Sequence, residues 1–260
     1  MPSDYVFNRI LVTNDDGYGA PGLMILKEIA QSLAREVWVV APFRDQSGVS
    51  HSISIHDPLR LIQKDEKDYA VTGTPADCVI MGAKHLMKTH PPDLILSGIN
   101  SGANLGTETL FSGTVGAAMT GMLLDIPSIA LSQAYADPDN IPWATSRKYG
   151  AQIIREILKL KLEHKVCFNV NFPNCGNENV KGRKFTTQGK GLLNGADVQA
   201  ETDPRNKDYF WLQLRHKDDK KDDNISSEAY NLSQNYITIS PLQFERTHHD
   251  TLEQIEQQLG

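Results

Sequence analysis

The feature that most constrains the fold is a strand–helix–strand pattern within residues 10–41. Residues 10–13 are a short run of apolar and β-branched side chains without alternation, which is typical of a strand buried on both faces of a parallel sheet. Pro21 and Gly22 open a segment in which apolar residues recur at helical spacing, and residues 37–41 form a second buried strand. We therefore predict a β-α-β unit with a right-handed crossover, and an α/β fold.

Two acidic side chains follow the first of these strands directly. Asn14, Asp15, Asp16 and Gly17 stand at its carboxyl end, where open α/β sheets place their ligands. One interpretation is a simple turn, because Asn and Asp tolerate left-handed geometry and Gly supplies a positive φ. The other is a cation site, because two adjacent carboxylates repel each other and an oxygen-binding ion such as Mg²⁺ or Mn²⁺ relieves that repulsion.

Two later loops are expected at the same edge of the sheet. Residues 43–51 form a polar loop after the second strand, and its Ser47 could offer an oxygen to a cation, although a lone serine in a loop is also unremarkable. His51 in this loop is a candidate for contact with a substrate. Residues 94–97 read as another buried strand, followed by residues 98–106, whose density of Gly and Asn is typical of a loop that lets backbone approach a ligand.

A helix built of small residues begins near residue 112. Its start carries Ser112, Gly113 and Thr114, so unpaired backbone N–H groups, the positive end of the helix dipole and two hydroxyls would lie together. The ordinary interpretation is a Ser/Thr helix cap, which is compatible with phosphate binding. We predict an anion site here, because the acidic pair and the 98–106 loop are expected at the same edge.

The remaining pattern completes a doubly wound core that ends near residue 175. Strands are predicted at 52–55, 69–72, 127–132 and 166–172, and an amphipathic helix at 143–162 with Leu162 facing inward. Another helix is expected from Thr74 to about residue 88, because Thr74, Pro75 and Asp77 form the signature of a capping box, which gives Asp77 a structural role.

The composition changes beyond residue 175, so we divide the chain into a core at 1–175 and an extension at 176–260. Residues 184–187 and 209–214 read as exposed antiparallel strands, residues 216–224 as a solvated loop or hairpin tip, and residues 236–240 as a last strand. Leu252, Ile255 and Leu259 give a terminal helix an apolar stripe. So short a helix needs a partner surface, and we interpret it as an arm used in oligomerisation.

Net charge, cysteine spacing and the absence of long apolar runs indicate which classes of protein this chain can belong to. With 32 acidic and 26 basic residues the chain has a net charge of −6, which argues against binding to duplex nucleic acid or to membrane surfaces. The cysteines Cys78, Cys167 and Cys175 lack Cys-x-x-Cys spacing and are expected as reduced thiols. The amino terminus has no pattern of a secretory signal and no apolar run is long enough to span a membrane, so we expect a cytoplasmic protein.

Six motifs in the same order are similar to those of a known family. The chain resembles the SurE family, the stationary-phase survival proteins, which are divalent-metal-dependent nucleotidases. The matching stretches are residues 10–23, 41–54, 71–79, 97–121, 169–173 and 236–242. They cover nearly the whole chain, which makes the resemblance specific.

The resemblance implies a site and an activity. It implies one divalent ion per subunit, Mg²⁺ or Mn²⁺, and hydrolysis of nucleoside 5′- and 3′-monophosphates, with short polyphosphate left open. It further implies a Rossmann-like three-layer core with a mostly parallel sheet and a carboxyl-terminal hairpin and helix arm, exchanged between subunits of a homodimer or homotetramer. The implied metal ligands are Asp15, Asp16, Ser47 and Asn100, and the implied phosphate-binding residues are Asn104, Ser112, Gly113 and Thr114.

Two positions depart from the family pattern. Phe111 stands where Tyr usually precedes the Ser-Gly-Thr motif, which removes a hydroxyl from the phosphate loop. Ser227 and Glu228 stand where a Thr-Asp pair is common.

From these residues we predict that a metal-activated water hydrolyses a phosphomonoester, with Asp15 and Asp16 as the catalytic carboxylates and Asp16 orienting the water. The alternative is a non-catalytic, Mg²⁺-binding receiver-like module that switches on phosphorylation. Such a module needs an acceptor Asp after a middle strand and a Lys after a later one, but Ser97 to Asn100 and Leu131 to Gln133 stand there. A haloacid-dehalogenase-like phosphatase would need Asp-x-Asp, whereas this pair is adjacent.

Overall fold

The computed structural model describes residues 5–163, 165–216 and 222–259. Through the first two thirds of the chain each α-helix connects two strands. In chain order the strands and α-helices are β1 (Phe7–Thr13), α1 (Pro21–Gln31), β2 (Ala34–Pro42), β3 (Leu61–Asp65), β4 (Asp68–Val71), α2 (Pro75–Met81), β5 (Leu94–Ser101), α3 (Gly113–Leu123), β6 (Ser128–Gln133), α4 (Trp143–Leu158), β7 (Cys167–Phe172), β8 (Arg183–Phe185), β9 (Leu193–Thr202), β10 (Asp208–His216), α5 (Glu228–Ser233), β11 (Ile237–Leu242) and α6 (His249–Leu259).

Nine of these strands form one sheet in the order β3-β4-β2-β1-β5-β6-β7-β11-β8. The run from β4 to β7 is parallel throughout, while β3 pairs antiparallel with β4 and β11 antiparallel with β7. The predicted α/β fold with a mostly parallel sheet is confirmed.

Alternation along β1 separates the core into two layers of side chains. Ile10 and Val12 face α1 and α4, whereas Leu11 faces α2 and α3 on the other side of the sheet. All three are fully buried, as the absence of polar alternation predicts for a central parallel strand. The result is the predicted three-layer arrangement, with helices on both faces of the sheet.

Residues beyond 175 also contribute to this sheet. The predicted last strand is β11, which pairs with β7, and β8 pairs with β11. We expected residues 184–187 to be an antiparallel strand, but β8 is parallel to its neighbour, because the chain crosses over through β9, β10 and α5 before it returns. The division of the chain at residue 175 stays a prediction.

The strand predicted at 209–214 is β10, which forms a separate antiparallel hairpin with β9. Strand β9 was not predicted from the sequence. Nearly all its residues are exposed in the structure, so the strand has no buried face that would require apolar residues at every second position. Residues 217–221 of the charge run between β10 and α5 lie outside the described residues.

Two predicted elements are wrong in detail. Residues 52–55 form no strand, because their backbone bonds the start of α2 instead: the Ser54 N–H donates to Asp77 Oδ1 at 3.0 Å, and Ser52 O accepts from Thr74 Oγ1 at 2.6 Å. Helix α4 ends at Leu158, and Leu162 is 54% exposed rather than inward.

Other expectations are confirmed. Thr74 and Asp77 form the capping box of α2, which continues as a π-helical turn over Gly82–Leu86. Cys78, Cys167 and Cys175 are free thiols. Among the described residues no helix combines the length and the apolar character that a transmembrane span requires.

Candidate active site

The carboxyl ends of β2, β1 and β5 lie side by side at one edge of the sheet, because these strands are parallel neighbours. Hydrogen bonds join the three loops that follow them. The Gln46 N–H donates to the backbone oxygen of Asp15 at 2.8 Å, and the Ser101 N–H donates to Asp16 Oδ2 at 3.0 Å. The structure therefore brings the acidic pair together with the two loops that the sequence analysis placed at this edge.

Asp15 lies beneath the start of α3. Only 4% of the residue is exposed, and Thr114 Oγ1 donates to its Oδ1 at 2.5 Å. Burial raises the pKa of this carboxyl to about 6, and the hydrogen bond from Thr114 offsets part of that rise. The negative charge of Asp16 raises the pKa further. A side chain on Gly113 would place its Cβ 2.8 Å from Asp15 Cβ, so glycine is required at this point of close approach.

Asp16 is the more open member of the pair. Burial raises its pKa, the hydrogen bond from Ser101 lowers it, and the negative charge of Asp45 raises it. Sequence reasoning assigned no role to Asp45, although its place in the loop after β2 was a usable signal. Three acidic side chains therefore act on one edge of the sheet, and a bound cation would stabilise their ionised forms.

The other two predicted metal ligands lie in the neighbouring loops. Ser47 is exposed, and both its hydroxyl and its N–H donate to Asp45 Oδ1 at 2.7 Å. Asn100 is half-buried, and its Nδ2 donates to the carbonyl of Gly102 at 2.8 Å, which leaves Oδ1 as the atom available to a cation. Within the described residues no group of three or more His, Cys, Asp or Glu side chains is placed to hold a metal, so a cation here depends on this mixed oxygen set.

Helix α3 begins beside the acidic pair. Ser112 is its N-cap, since the Val115 N–H donates to Ser112 Oγ at 3.1 Å, and the expected cap is confirmed. A capping hydroxyl that accepts a hydrogen bond still has its own proton to donate. The first N–H groups of the helix and its dipole make this end suited to an anion.

Asn104 is held from three sides. Its Nδ2 donates to Ser132 Oγ at 2.8 Å, its backbone N–H donates to Asn171 Oδ1 at 2.8 Å, and its backbone oxygen accepts from Asn169 Nδ2 at 2.8 Å. Sequence reasoning missed this network around the predicted phosphate-binding residue. A usable signal was the pair of asparagines at positions i and i+2 of an otherwise apolar strand, which places both on one face.

Glu228 extends this network to the carboxyl-terminal part of the chain. It is fully buried, its Oε1 accepts from the Gly106 N–H at 2.7 Å, and its Oε2 accepts from Ser240 Oγ at 2.7 Å and Asn169 Nδ2 at 3.1 Å. Burial raises the pKa of Glu228 to about 7 despite these hydrogen bonds. In the sequence, Glu228 stands out only as a departure from a family pattern.

His51 and Phe111 lie beside α3. His51 Nε2 is 2.7 Å from Thr120 Oγ1 in the carboxyl-terminal half of α3, so its ring is anchored on the flank of the helix and not at the helix start. Burial, and to a lesser degree the charge of Arg246, lowers the pKa of His51. Phe111 is 44% exposed, and its backbone oxygen accepts from the Ser50 N–H at 3.0 Å.

Comparison with known proteins places the chain in a family. The family model described as "Survival protein SurE" matches residues 10–194. The chain is 49% identical to "5′-nucleotidase SurE 1" of Burkholderia lata, over 98% of both chains. It is 44% identical to "5′-nucleotidase SurE" of Bradyrhizobium diazoefficiens, over 92% of this chain and 94% of that protein. The crystal structure of the SurE protein from Aquifex aeolicus matches with a TM-score of 0.80 at 36% identity, over 97% of this chain and all of that one. This chain therefore belongs to the SurE family.

Proposed function

We propose that this chain is an enzyme that hydrolyses nucleoside 5′-monophosphates to nucleoside and inorganic phosphate. The observation that carries the proposal is the junction of three strand-end loops around Asp15 and Asp16, directly beside the start of α3. Carboxylates suit a hard cation and a helix start suits a phosphate, so the two halves of a phosphatase site lie together. The choice of nucleotides rests on the name 5′-nucleotidase that relatives in the family carry.

Asp15, Asp16, Ser47 and Asn100 would hold one divalent ion, Mg²⁺ or Mn²⁺. The chemistry of the donor set fits such an ion, since all four supply oxygen and two supply charge. The pKa values of Asp15 and Asp16 are raised because each carboxyl is buried near another negative charge. A bound cation would offset that repulsion, so the raised pKa values also fit a metal site. When bound, such an ion polarises a phosphoryl oxygen and lowers the pKa of a water molecule.

The start of α3 would hold the phosphoryl group. Its first N–H groups and the proton of the Ser112 hydroxyl would donate to the phosphate oxygens, and the missing side chain of Gly113 lets this helix end lie against Asp15. Thr114 fixes Asp15 through its hydroxyl and contributes its N–H to the same helix end. Asn104 closes the site from the loop after β5, held there by Asn169, Asn171 and Ser132.

Asp16 would orient the attacking water by accepting its hydrogen bond. Asp15 is nearly enclosed and bonded to Thr114, whereas Asp16 is only partly buried and keeps one carboxylate oxygen free of the bond to Ser101. The more open carboxylate is the one that a water molecule can reach while it attacks phosphorus.

The test is the release of inorganic phosphate from a nucleoside 5′-monophosphate by the purified chain. We expect release with Mg²⁺ or Mn²⁺, none after a chelator, and a loss of about 10²-fold or more in kcat for Asp16→Asn, the range seen when one electrostatic catalytic group is removed. Asp125→Asn is the matched control. Asp125 is exposed in the turn after α3 at the opposite edge of the sheet, and its φ of 63° suits asparagine.

Full activity in the presence of the chelator would overturn the metal-dependent scheme. A normal rate for Asp16→Asn would remove that residue from the chemistry and leave the activity itself intact. A substrate panel extends the test to nucleoside 3′-monophosphates, which we include because the proposed contacts act on the phosphoryl group alone. Short polyphosphate belongs in the same panel for the same reason.

We also propose that the chain assembles as a homodimer or homotetramer through its carboxyl-terminal arm. Hairpin β9–β10 exposes large apolar side chains, as does α6. They are Val198, Phe210, Trp211, Leu212 and Leu214 on the hairpin and Leu252, Ile255 and Leu259 on α6. An exposed apolar surface of this extent is typical of a protein–protein contact.

A further inference from the structure

The carboxyl group of Glu228 joins the 98–106 loop to two strands of the sheet. Its Oε1 accepts from the N–H of Gly106, the last residue of that loop. Its Oε2 accepts from Asn169 Nδ2 on β7 and from Ser240 Oγ on β11. A residue at the start of α5 therefore fixes a loop that lies more than a hundred positions earlier in the chain.

The same hydrogen bonds lead to Asn104, the proposed phosphate-binding residue. Asn169 Nδ2, which donates to Glu228, also donates to the backbone oxygen of Asn104 at 2.8 Å. Gly106 follows Asn104 by two positions, so the bond to its N–H fixes the same short segment a second time. Glu228 is thus connected to Asn104 through a side chain and through the backbone.

The end of the loop at Gly106 has little room to move. Its φ is 56°, and a Cβ built on it would lie 2.1 Å from the backbone nitrogen of Gly191. Gln188 Nε2 donates to the backbone oxygen of Gly106 at 2.7 Å, and Leu105 packs against apolar residues of α5. A shift of the Glu228 carboxyl would therefore displace the loop, because no free space is left to absorb it.

A buried carboxyl is an unfavourable group to place here for stability alone. Glu228 is fully buried, and the three groups that donate to it are neutral. A buried charge without a cation costs free energy that an apolar side chain of similar size would not. What a carboxylate provides is two acceptor oxygens, one for the loop and one for Asn169.

We propose that Glu228 is a positioning residue for phosphate binding, because it holds the 98–106 loop where Asn104 can contact the phosphoryl group. The inference rests on the proposed function, and it adds a residue that touches neither the substrate nor the metal ligands. A contact to the phosphoryl group that is equally strong in the ground state and the transition state lowers KM without changing kcat. The effect of Glu228 should therefore appear in KM.

Glu228→Gln tests the proposal at about pH 8, above the pKa of Glu228. The amide has the same size but one acceptor oxygen, so its NH₂ group meets the N–H of either Gly106 or Asn169. We expect about a tenfold rise in KM for adenosine 5′-monophosphate, with less than about a threefold change in kcat. Ser240→Ala is the control, because it removes a hydrogen bond to Glu228 that does not lead to Asn104. It should lower the melting temperature and keep KM.

A double-mutant cycle shows whether the effect passes through Asn104. When Asn104→Ala is already present, adding Glu228→Gln should raise KM by less than about twofold, because the group to be positioned is gone. Fully multiplicative effects, an unchanged KM in Glu228→Gln, or an equal rise in Ser240→Ala would overturn the inference. If Glu228→Gln does not fold, Asn169→Ala replaces it, since it cuts the side-chain connection, and an unchanged KM there would overturn the inference.

A binding measurement separates this inference from the proposed function. Isothermal titration with inorganic phosphate in the presence of Mg²⁺ should show binding that Glu228→Gln weakens about tenfold and Ser240→Ala leaves unchanged. That result without hydrolysis of any nucleotide would overturn the proposed function and leave the role of Glu228 in place. Hydrolysis by the wild type together with equal phosphate affinities in all three proteins would overturn the role of Glu228 alone.

Discussion

Glu228 lies in an environment that disfavours the ionised form of its carboxyl group. It is a fully buried carboxyl, and burial raises its pKa to about 7. Between pH 4.5 and 7 the folded state keeps this proton while the unfolded state has lost it. The free energy of unfolding therefore falls as pH rises through this window, by on the order of 3 kcal/mol.

We predict that Glu228→Gln removes this part of the pH dependence. The amide is isosteric and does not titrate, so the difference in stability between the variant and the wild type should change by up to about 3 kcal/mol between pH 4.5 and 8. Urea denaturation at several pH values measures it, and Glu253→Gln on the exposed face of α6 is the matched control. If the free energies of unfolding of the wild type and of Glu228→Gln change with pH in parallel, the prediction is contradicted.

The sequence alone was enough to predict the site residues whose position follows from the strand or helix beside them. Asp15, Asp16, Ser112 and Thr114 directly follow a strand or begin a helix, and the structure puts them in neighbouring positions. Glu228 could not be assigned in this way, because its importance depends on contacts with Gly106, Asn169 and Ser240, which are far from it in the sequence or belong to another element.

Ser112 caps helix α3, and we propose that its hydroxyl also donates to the bound phosphate. We predict that Ser112→Ala lowers the stability of the fold by about 1 kcal/mol, because the Val115 N–H loses its cap, and weakens phosphate binding, because a hydroxyl donor is lost. Thermal denaturation measures the first effect and inhibition by inorganic phosphate the second.

Two further variants separate these effects. Ser112→Thr retains cap and hydroxyl and should behave as wild type. Ser112→Asp retains the cap but places a negative charge where the phosphate would bind, so stability should hold while inhibition by phosphate is lost. Unchanged inhibition constants in Ser112→Ala and Ser112→Asp would count against an anion site at this helix.

Elements buried on both faces were predictable, and those that depend on distant partners were not. Strands β1, β2, β5 and β6 carry short apolar runs that a covered parallel sheet explains, and β7 is equally buried although Asn169 and Asn171 interrupt its apolar residues. The orientation of β8 followed from a pairing with β11 that no local pattern encodes. Residues 52–55 have the composition of a strand, but their backbone groups bond the start of α2.

For the molecule as a whole, the proposed assembly depends on the exposed apolar stripe of α6, which is formed by Leu252, Ile255 and Leu259. We predict that Leu252→Glu with Ile255→Glu raises the dissociation constant of the oligomer at least tenfold, because each apolar side chain contributes about 1.5 kcal/mol or more when buried at an interface. Sedimentation velocity over a range of protein concentrations measures the change.

The control for this prediction carries the same charges at other positions. Gln254→Glu with Gln257→Glu adds two negative charges to α6 away from the apolar stripe, and should leave the oligomer unchanged. An identical shift in both double variants would indicate that charge alone, and not the stripe, governs assembly.

The place of β11 beside β7 has a consequence for synthesis on the ribosome. Until the chain beyond residue 242 has emerged, β7 has a free edge and the carboxylate of Glu228 cannot reach the Ser240 hydroxyl. A nascent chain can form the parallel strands from β1 to β7 early, but the backing of the 98–106 loop is assembled only late in translation. The 98–106 loop therefore gains its full support from Glu228 only after nearly the whole chain has been synthesised.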